Sequence, residues 1–171
     1  MKAMKMFAVA ATIALPLQLA QAAGETFNAQ LVIPDVAGFS GGLGLALGYE
    51  MPIPQVAPNL SIEGEFTTTI SDPDHSAGPF KSEVSYYTLA GYAKYNLPLT
   101  PQLDLFGRLG LLYEDVTIST NFAGSASDSD FGLSLGFGID YQINTKMDFT
   151  AGYTLIESDI DHLSAGIRYK L

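Results

Sequence analysis

Large apolar side chains recur at every second position along most of this chain. In Phe131–Tyr141 the odd positions are Phe131, Leu133, Leu135, Phe137, Ile139 and Tyr141, and the even ones are Gly132, Ser134, Gly136, Gly138 and Asp140. Successive strand side chains point to opposite faces, so this period predicts a β-strand with one greasy and one small or charged face. The same split appears in Gly41–Met51, Met147–Leu155 and His162–Leu171. Phe27–Ile33, Leu60–Phe66, Tyr87–Leu97 and Leu103–Tyr113 alternate less cleanly: Tyr86, Tyr92, Phe106 and Leu112 fall on the polar side. Eight strands result, and an even number suits an up-and-down antiparallel barrel.

Alternation alone does not say which face meets solvent. A soluble barrel turns its apolar row inward, whereas a membrane barrel turns it to lipid and fills the lumen with the polar row. A row such as Gly132, Ser134, Gly136, Gly138 would give a soluble exterior little solubility. Inside a narrow eight-stranded lumen the same small residues leave room for a few long charged ones. Aromatic residues near strand ends (Phe27, Tyr49, Tyr95, Tyr113, Phe131, Tyr141 and Tyr169 among them) fit the interfacial girdles of a membrane barrel. With the N-terminus periplasmic, the connections Pro52–Pro58, Pro98–Pro101 and Asn144–Thr145 are periplasmic turns. The segments Ser71–Phe80 and Ser119–Ser129 are then longer polar external loops.

The head of the chain reads differently. Lys2 and Lys5 precede an apolar run, Met6–Leu15, which Pro16 breaks before Ala20-Gln21-Ala22. This is the layout of a secretory signal peptide, with cleavage expected after Ala22. Residues 1–22 are therefore read as the signal peptide and 23–171 as one domain. Beyond it the longest charge-free stretch is the 14 residues Val36–Tyr49, too short for a spanning helix.

Composition narrows the function classes. With 18 acidic against 8 basic residues, net charge −10, the chain is unsuited to nucleic acid, whose phosphates need clustered Lys and Arg. It has no Cys, hence no disulfide or thiolate chemistry, and two His, too few for a His-rich metal centre. No phosphate loop or haem motif is present, and no cofactor is expected.

The segments Gly41–Tyr49, Leu60–Phe66, Gly107–Tyr113 and Leu163–Leu171 together resemble the small eight-stranded outer-membrane β-barrel family that includes the OmpA transmembrane domain and OmpX. The resemblance spans essentially all of residues 23–171. It implies an all-β antiparallel transmembrane barrel in the bacterial outer membrane, surrounded by lipid and lipopolysaccharide. Members usually end in an aromatic residue that the barrel-assembly machinery reads; this chain has Tyr169 but ends in Leu171.

The polar row contains Glu50, Glu63, Glu65, Lys94, Asp104, Arg108, Glu114, Asp140, Asp148, Arg168 and Lys170. Isolated buried charge is very costly, so an internal ion-pair network is expected, with Glu63 and Glu65 near Lys94 and Arg108. His162 and Ser164 share a strand face, and some barrels resembling this one are lipid A deacylases with a His-x-Ser pair. Here both residues fall on the lumenal row and no carboxylate follows, which disfavours a triad. His75 is read as a solvated loop residue. The acidic loop residues Asp72, Asp74, Asp128, Asp130, Glu157, Asp159 and Asp161 suit plain solubility, with divalent cations shared with lipopolysaccharide phosphates as the alternative. No catalytic, cofactor or metal residue is assigned. The function expected is a structural or surface-interaction role, adhesion or envelope integrity, with an extracellular partner met through the loops and a lumen plugged by ion pairs. A narrow porin-like channel stands second, and a lipid-modifying enzyme third.

Overall fold

A computed structural model describes residues 24–77, 80–122, 124–156 and 160–171. The proposed leader, residues 1–22, lies outside the described residues. Nine strands follow in chain order: β1 (Thr26–Val36), β2 (Leu43–Pro52), β3 (Leu60–Ser71), β4 (Asp74–Ala77), β5 (Phe80–Thr100), β6 (Leu103–Thr120), β7 (Gly124–Gln142), β8 (Met147–Ile156) and β9 (Ile160–Lys170). Consecutive strands pair antiparallel except β3 and β4, which both pair with β5, and β1 also pairs with β9. The sheet thereby closes on itself as an eight-stranded barrel. The short β4 continues the line of β3 along β5 after an interruption at Asp72-Pro73.

All eight expected strands are present, some longer than expected. β2 begins at Leu43, not Gly41, because Gly41 and Gly42 take left-handed backbone with φ of 73° and 101°. A side chain at Gly42 would also strike the Pro73 ring, its Cβ 2.6 Å from Cγ. The turn at Asn144 is held by its own side chain, whose Oδ1 accepts from the backbone N–H of Lys146 (2.8 Å) and Met147 (2.9 Å).

The expected external loops Ser71–Phe80 and Ser119–Ser129 are instead largely strand. β5, β6 and β7 run past the other strands, paired as far as Thr120↔Gly124. Ladder hydrogen bonds need no apolar face, so a polar segment can continue a hairpin that the membrane part has already registered. The result is a wall rising on one side of the barrel only, since β8 and β9 end their pairing at Ile156↔Ile160.

Burial settles which face is outside. The charged residues Glu63, Lys94, Arg108 and Asp140 are buried, whereas Leu89, Leu109, Leu111, Leu133 and Phe137 are more than half exposed. A band of that kind needs a non-aqueous solvent. Two aromatic belts bound it. Phe27, Tyr49, Tyr95, Tyr141, Phe149 and Tyr169 line the end that carries the short turns, with Phe27 registered between Tyr49 and Tyr169. At the other end Phe66, Tyr87, Tyr113 and Phe131 form a continuous row, with ring centroids 6.4, 6.3 and 4.9 Å apart. From Leu103 to Tyr113 the strand climbs roughly 33 Å, which at a tilt of about 45° spans about 24 Å, the height of the usual apolar band.

Large and small residues interlock across the lumenal face of β6 and β7. Phe106 faces Gly138, Arg108 faces Gly136 and Leu112 faces Gly132. A Cβ at Gly136 would come within 2.8 Å of Arg108 Nε and 2.9 Å of its Cγ. The Gly136→Ala variant should therefore lose about 1–3 kcal/mol as Arg108 is pushed aside. Urea titration of the barrel in detergent, read by gel migration, checks this; an unchanged midpoint would mean that Arg108 has other room.

Candidate functional site

The interior is built in two layers. The lower layer, at the end of the short turns, is ionic. Arg108 Nη1 contacts Glu63 Oε1 at 2.8 Å and Glu65 Oε2 at 2.7 Å, while Nη2 donates to Glu65 Oε1 at 3.2 Å and to Thr154 Oγ1 at 2.7 Å. Lys94 Nζ lies 3.1 Å from both Glu50 Oε2 and Asp140 Oδ2, and 3.9 Å from Glu63. Arg168 joins Glu50 and Asp140 at 2.6 Å each, and Lys170 holds Asp148 at 2.8 Å. Ser61 donates to the second Glu50 oxygen at 2.7 Å. The expected meeting of Glu63 and Glu65 with Lys94 and Arg108 is present. Register explains it: Glu63 pairs with Tyr92, Ser61 with Lys94, and Lys94 with Arg108, so the charged tips converge from three adjacent strands.

Aromatic rings pack against this network. Lys94 Nζ lies 4.3 Å from the Phe106 ring centre, and the Arg108 guanidinium lies 4.3 Å from that of Tyr92. Toward the outer end lies a second layer, to which the exceptions Tyr86, Tyr92 and Leu112 belong. Tyr86, Tyr92, Leu112, Val84, Ile156, Ile160 and Val36 form a buried apolar cluster inside the barrel, with Phe39 and Val116 packed against it. The free volume among Asn28, Glu63, Lys94, Phe106 and Arg108 is about 10 Å³. That is about the space one water molecule needs.

His162 and Ser164 both face the lumen, as expected, but each turns to another group. Tyr86 Oη and His162 Nε2 are 2.7 Å apart, and Ser164 Oγ donates to the Gly152 carbonyl at 3.4 Å. Asp161 accepts from the Tyr153 hydroxyl at 2.7 Å. His75 sits on β4 with its ring against Phe39, centroids 6.2 Å apart, rather than in an open loop. Among the described residues no group of three or more His, Asp or Glu side chains could hold a metal ion. Glu157 and Asp159 lie outside the described residues.

Past the apolar layer the barrel opens into a mouth of about 460 Å³. Its walls are Val36, Phe39, Val84, Val116, Ile118, Ile156 and Ile160, with Glu114, Asp128 and Asp130 on the β6–β7 side. Alternation does not reveal this mouth, because residues 119–129 carry the composition of a loop. A signal was present: beyond Tyr113 the apolar positions change row, from odd (Leu109, Leu111, Tyr113) to even (Val116, Ile118).

A family model described as "Outer membrane protein beta-barrel domain" matches residues 7–170. No curated protein matches at a significant level. Solved structures share the fold. Neisserial surface protein A is 16% identical with a TM-score of 0.69, covering 86% of this chain and 97% of its own. Ail, the attachment invasion locus protein of Yersinia pestis, is 19% identical with a TM-score of 0.55, covering 86% and 100%; it has also been solved with the heparin analogue sucrose octasulfate. The outer membrane protein OprG of Pseudomonas aeruginosa is 12% identical with a TM-score of 0.57, covering 87% and 96%.

Proposed function

The chain belongs to the outer membrane protein beta-barrel domain family and lies in the bacterial outer membrane, and on that premise we propose a structural and surface-interaction role with a lumen closed to solutes. The observation that carries the reading is the double seal: a continuous ion-pair network packed against Phe106 and Tyr92, then the apolar layer around Leu112. A pore needs a wet path, and desolvating a small ion through such a layer is very costly. Purified barrel in planar bilayers should give no stable conductance steps. Steps of constant size from the wild-type protein would favour the porin-like alternative instead.

Interaction then falls to the wall that β5–β7 raise above the outer belt. Its outward row is polar: Lys81, Glu83 and Ser85 on β5, with Lys81 paired to Glu83 at 2.8 Å, Asp115 and Thr117 on β6, Ser127 and Ser129 on β7. Thr117 and Ser127 bond across the ladder at 2.9 Å. A largely uncharged, hydroxyl-rich wall suits a neutral extracellular partner better than a polyanion such as the one bound to Ail. Cutting the wall back to a short turn between Tyr113 and Phe131 should leave the barrel assembled and abolish surface attachment of cells. Unchanged attachment would reject the adhesive role.

Two further parts of the proposal concern export and chemistry. Residues 1–22 direct secretion and are removed, so the intact mass of the membrane protein should begin at Ala23; a retained leader would contradict it. β9, with Tyr169 near its end, is the strand offered to the barrel-assembly machinery. The Tyr86–His162 bond favours a non-enzymatic lumen, and Ser164→Ala should leave any lipid-hydrolysis background unchanged.

A further inference from the structure

Nothing in a surface-anchoring role requires the wall's inner face to be greasy. Above Tyr113 the outward row of β5 and β6 is Lys81, Glu83, Ser85, Asp115, Thr117 and Ser119, as befits a strand in water. The inward row of the same strands carries Val84, Val116 and Ile118, with Glu114 below them and Ser82 and Thr120 at the outer end. The sheet is therefore amphipathic outside the membrane too, but with its phase reversed. Its apolar face looks onto the mouth, where Ile118 remains 42% exposed. Exposed apolar concavities of this kind mark ligand sites, and 460 Å³ falls within their usual range of about 300–1,000 Å³.

The mouth is also held in shape. Ser40 and Asp74 exchange backbone hydrogen bonds at 3.0 Å each way, tying the β1–β2 connection to β4 and fixing Phe39 over the opening. Ile156 and Ile160 close the opposite side, and the buried Leu112 layer makes the floor.

Charge selects the occupant. Glu114 faces Asp130 directly across the β6–β7 ladder, and Val116 faces Asp128, so the carboxylates stand beside the apolar wall. Asp128 and Asp130 lie on one face of β7 and set a negative potential beside that wall, which favours a cation. Among the described residues lining the mouth there is no Lys, Arg or His.

We propose that the outer mouth is a binding site for a small amphipathic organic cation, whose aryl or alkyl body lies against Phe39, Val116, Ile118 and Ile156 and whose ammonium group meets Asp128 and Asp130. The floor keeps the ligand at the surface, so the site is a receptor and not a passage.

The test uses the mature protein in phosphatidylcholine nanodiscs and three probes with one body: 4-phenylbutylammonium, 4-phenylbutanol and 4-phenylbutanoate. Saturation-transfer NMR and calorimetry, with empty nanodiscs subtracted, report binding. The ammonium should bind saturably and at least tenfold tighter than the alcohol, with the carboxylate weakest. The paired change D128N/D130N should bring the ammonium down to the level of the alcohol. V116S/I118S should weaken both by a similar factor while heat-modifiable migration on gels stays normal. Equal binding of all three probes, no saturable binding by any, or an ammonium preference that survives D128N/D130N would overturn the proposal. These readings are independent of whether the lumen conducts.

Discussion

Replacing Arg108 with alanine should lower the barrel's unfolding free energy by about 3–5 kcal/mol, the usual cost of stripping one partner from a buried ion cluster. Arg108 is the shared cation of Glu63 and Glu65, both buried, and its loss leaves Glu63 with only Lys94 at 3.9 Å. Arg108→Met keeps much of the volume and should fall in the same range, because the cost is uncompensated charge and not lost packing. The triple change R108M/E63Q/E65Q removes the charges together and should recover most of the loss. Urea titration by gel migration and circular dichroism reads each variant. A loss below about 1 kcal/mol for Arg108→Ala would mean that the network contributes little to stability.

Leu109→Arg should cost about 2–4 kcal/mol, the depth-dependent price of a cation at the middle of the lipid face. Leu109 sits centrally between the two aromatic belts on β6 and is 56% exposed. In a water-soluble barrel an exposed leucine would accept arginine at almost no cost, so this variant tests the orientation of the whole sheet. The control is Thr117→Arg, on the same row but above Tyr113, where about 0–1 kcal/mol is expected. Equal effects at the two positions would place the apolar band elsewhere.

Much of this was legible in the sequence for a simple reason. Leu109 and Arg108 are adjacent, and strand geometry forces adjacent residues to opposite faces, so a chain alternating leucine with charge declares two different solvents. The glycines completed the argument: Gly136 and Gly138 make sense only where Arg108 and Phe106 need their space. The ion network was legible in its members, because Glu63, Glu65, Lys94 and Arg108 had no other way to be buried.

The upper half was less legible. Tyr86, Tyr92, Phe106 and Leu112 break the alternation on the lumenal row, and the pattern alone cannot distinguish an error of phase from an apolar plug. Only the three-dimensional stacking of Tyr92 and Phe106 on Arg108 and Lys94 does so. The wall was hidden for a related reason. Ser125-Ala126-Ser127-Asp128-Ser129-Asp130 has the composition of a loop, yet its backbone pairs with β6 throughout. Composition reports what the side chains prefer, whereas the ladder is extended by the main chain. The mouth lay where both signals failed together, at the reversal of rows beyond Tyr113.

The burial of the ionic layer has an environmental consequence. Mobile ions weaken attraction between charges that they can surround, and they do so poorly where water is shut out. Arg108, Lys94, Glu50 and Asp140 are buried, with Tyr92 and Leu112 between them and the outer mouth. Salinity outside the cell should therefore bear little on these inner pairs, whereas the exposed Lys81–Glu83 pair remains open to it.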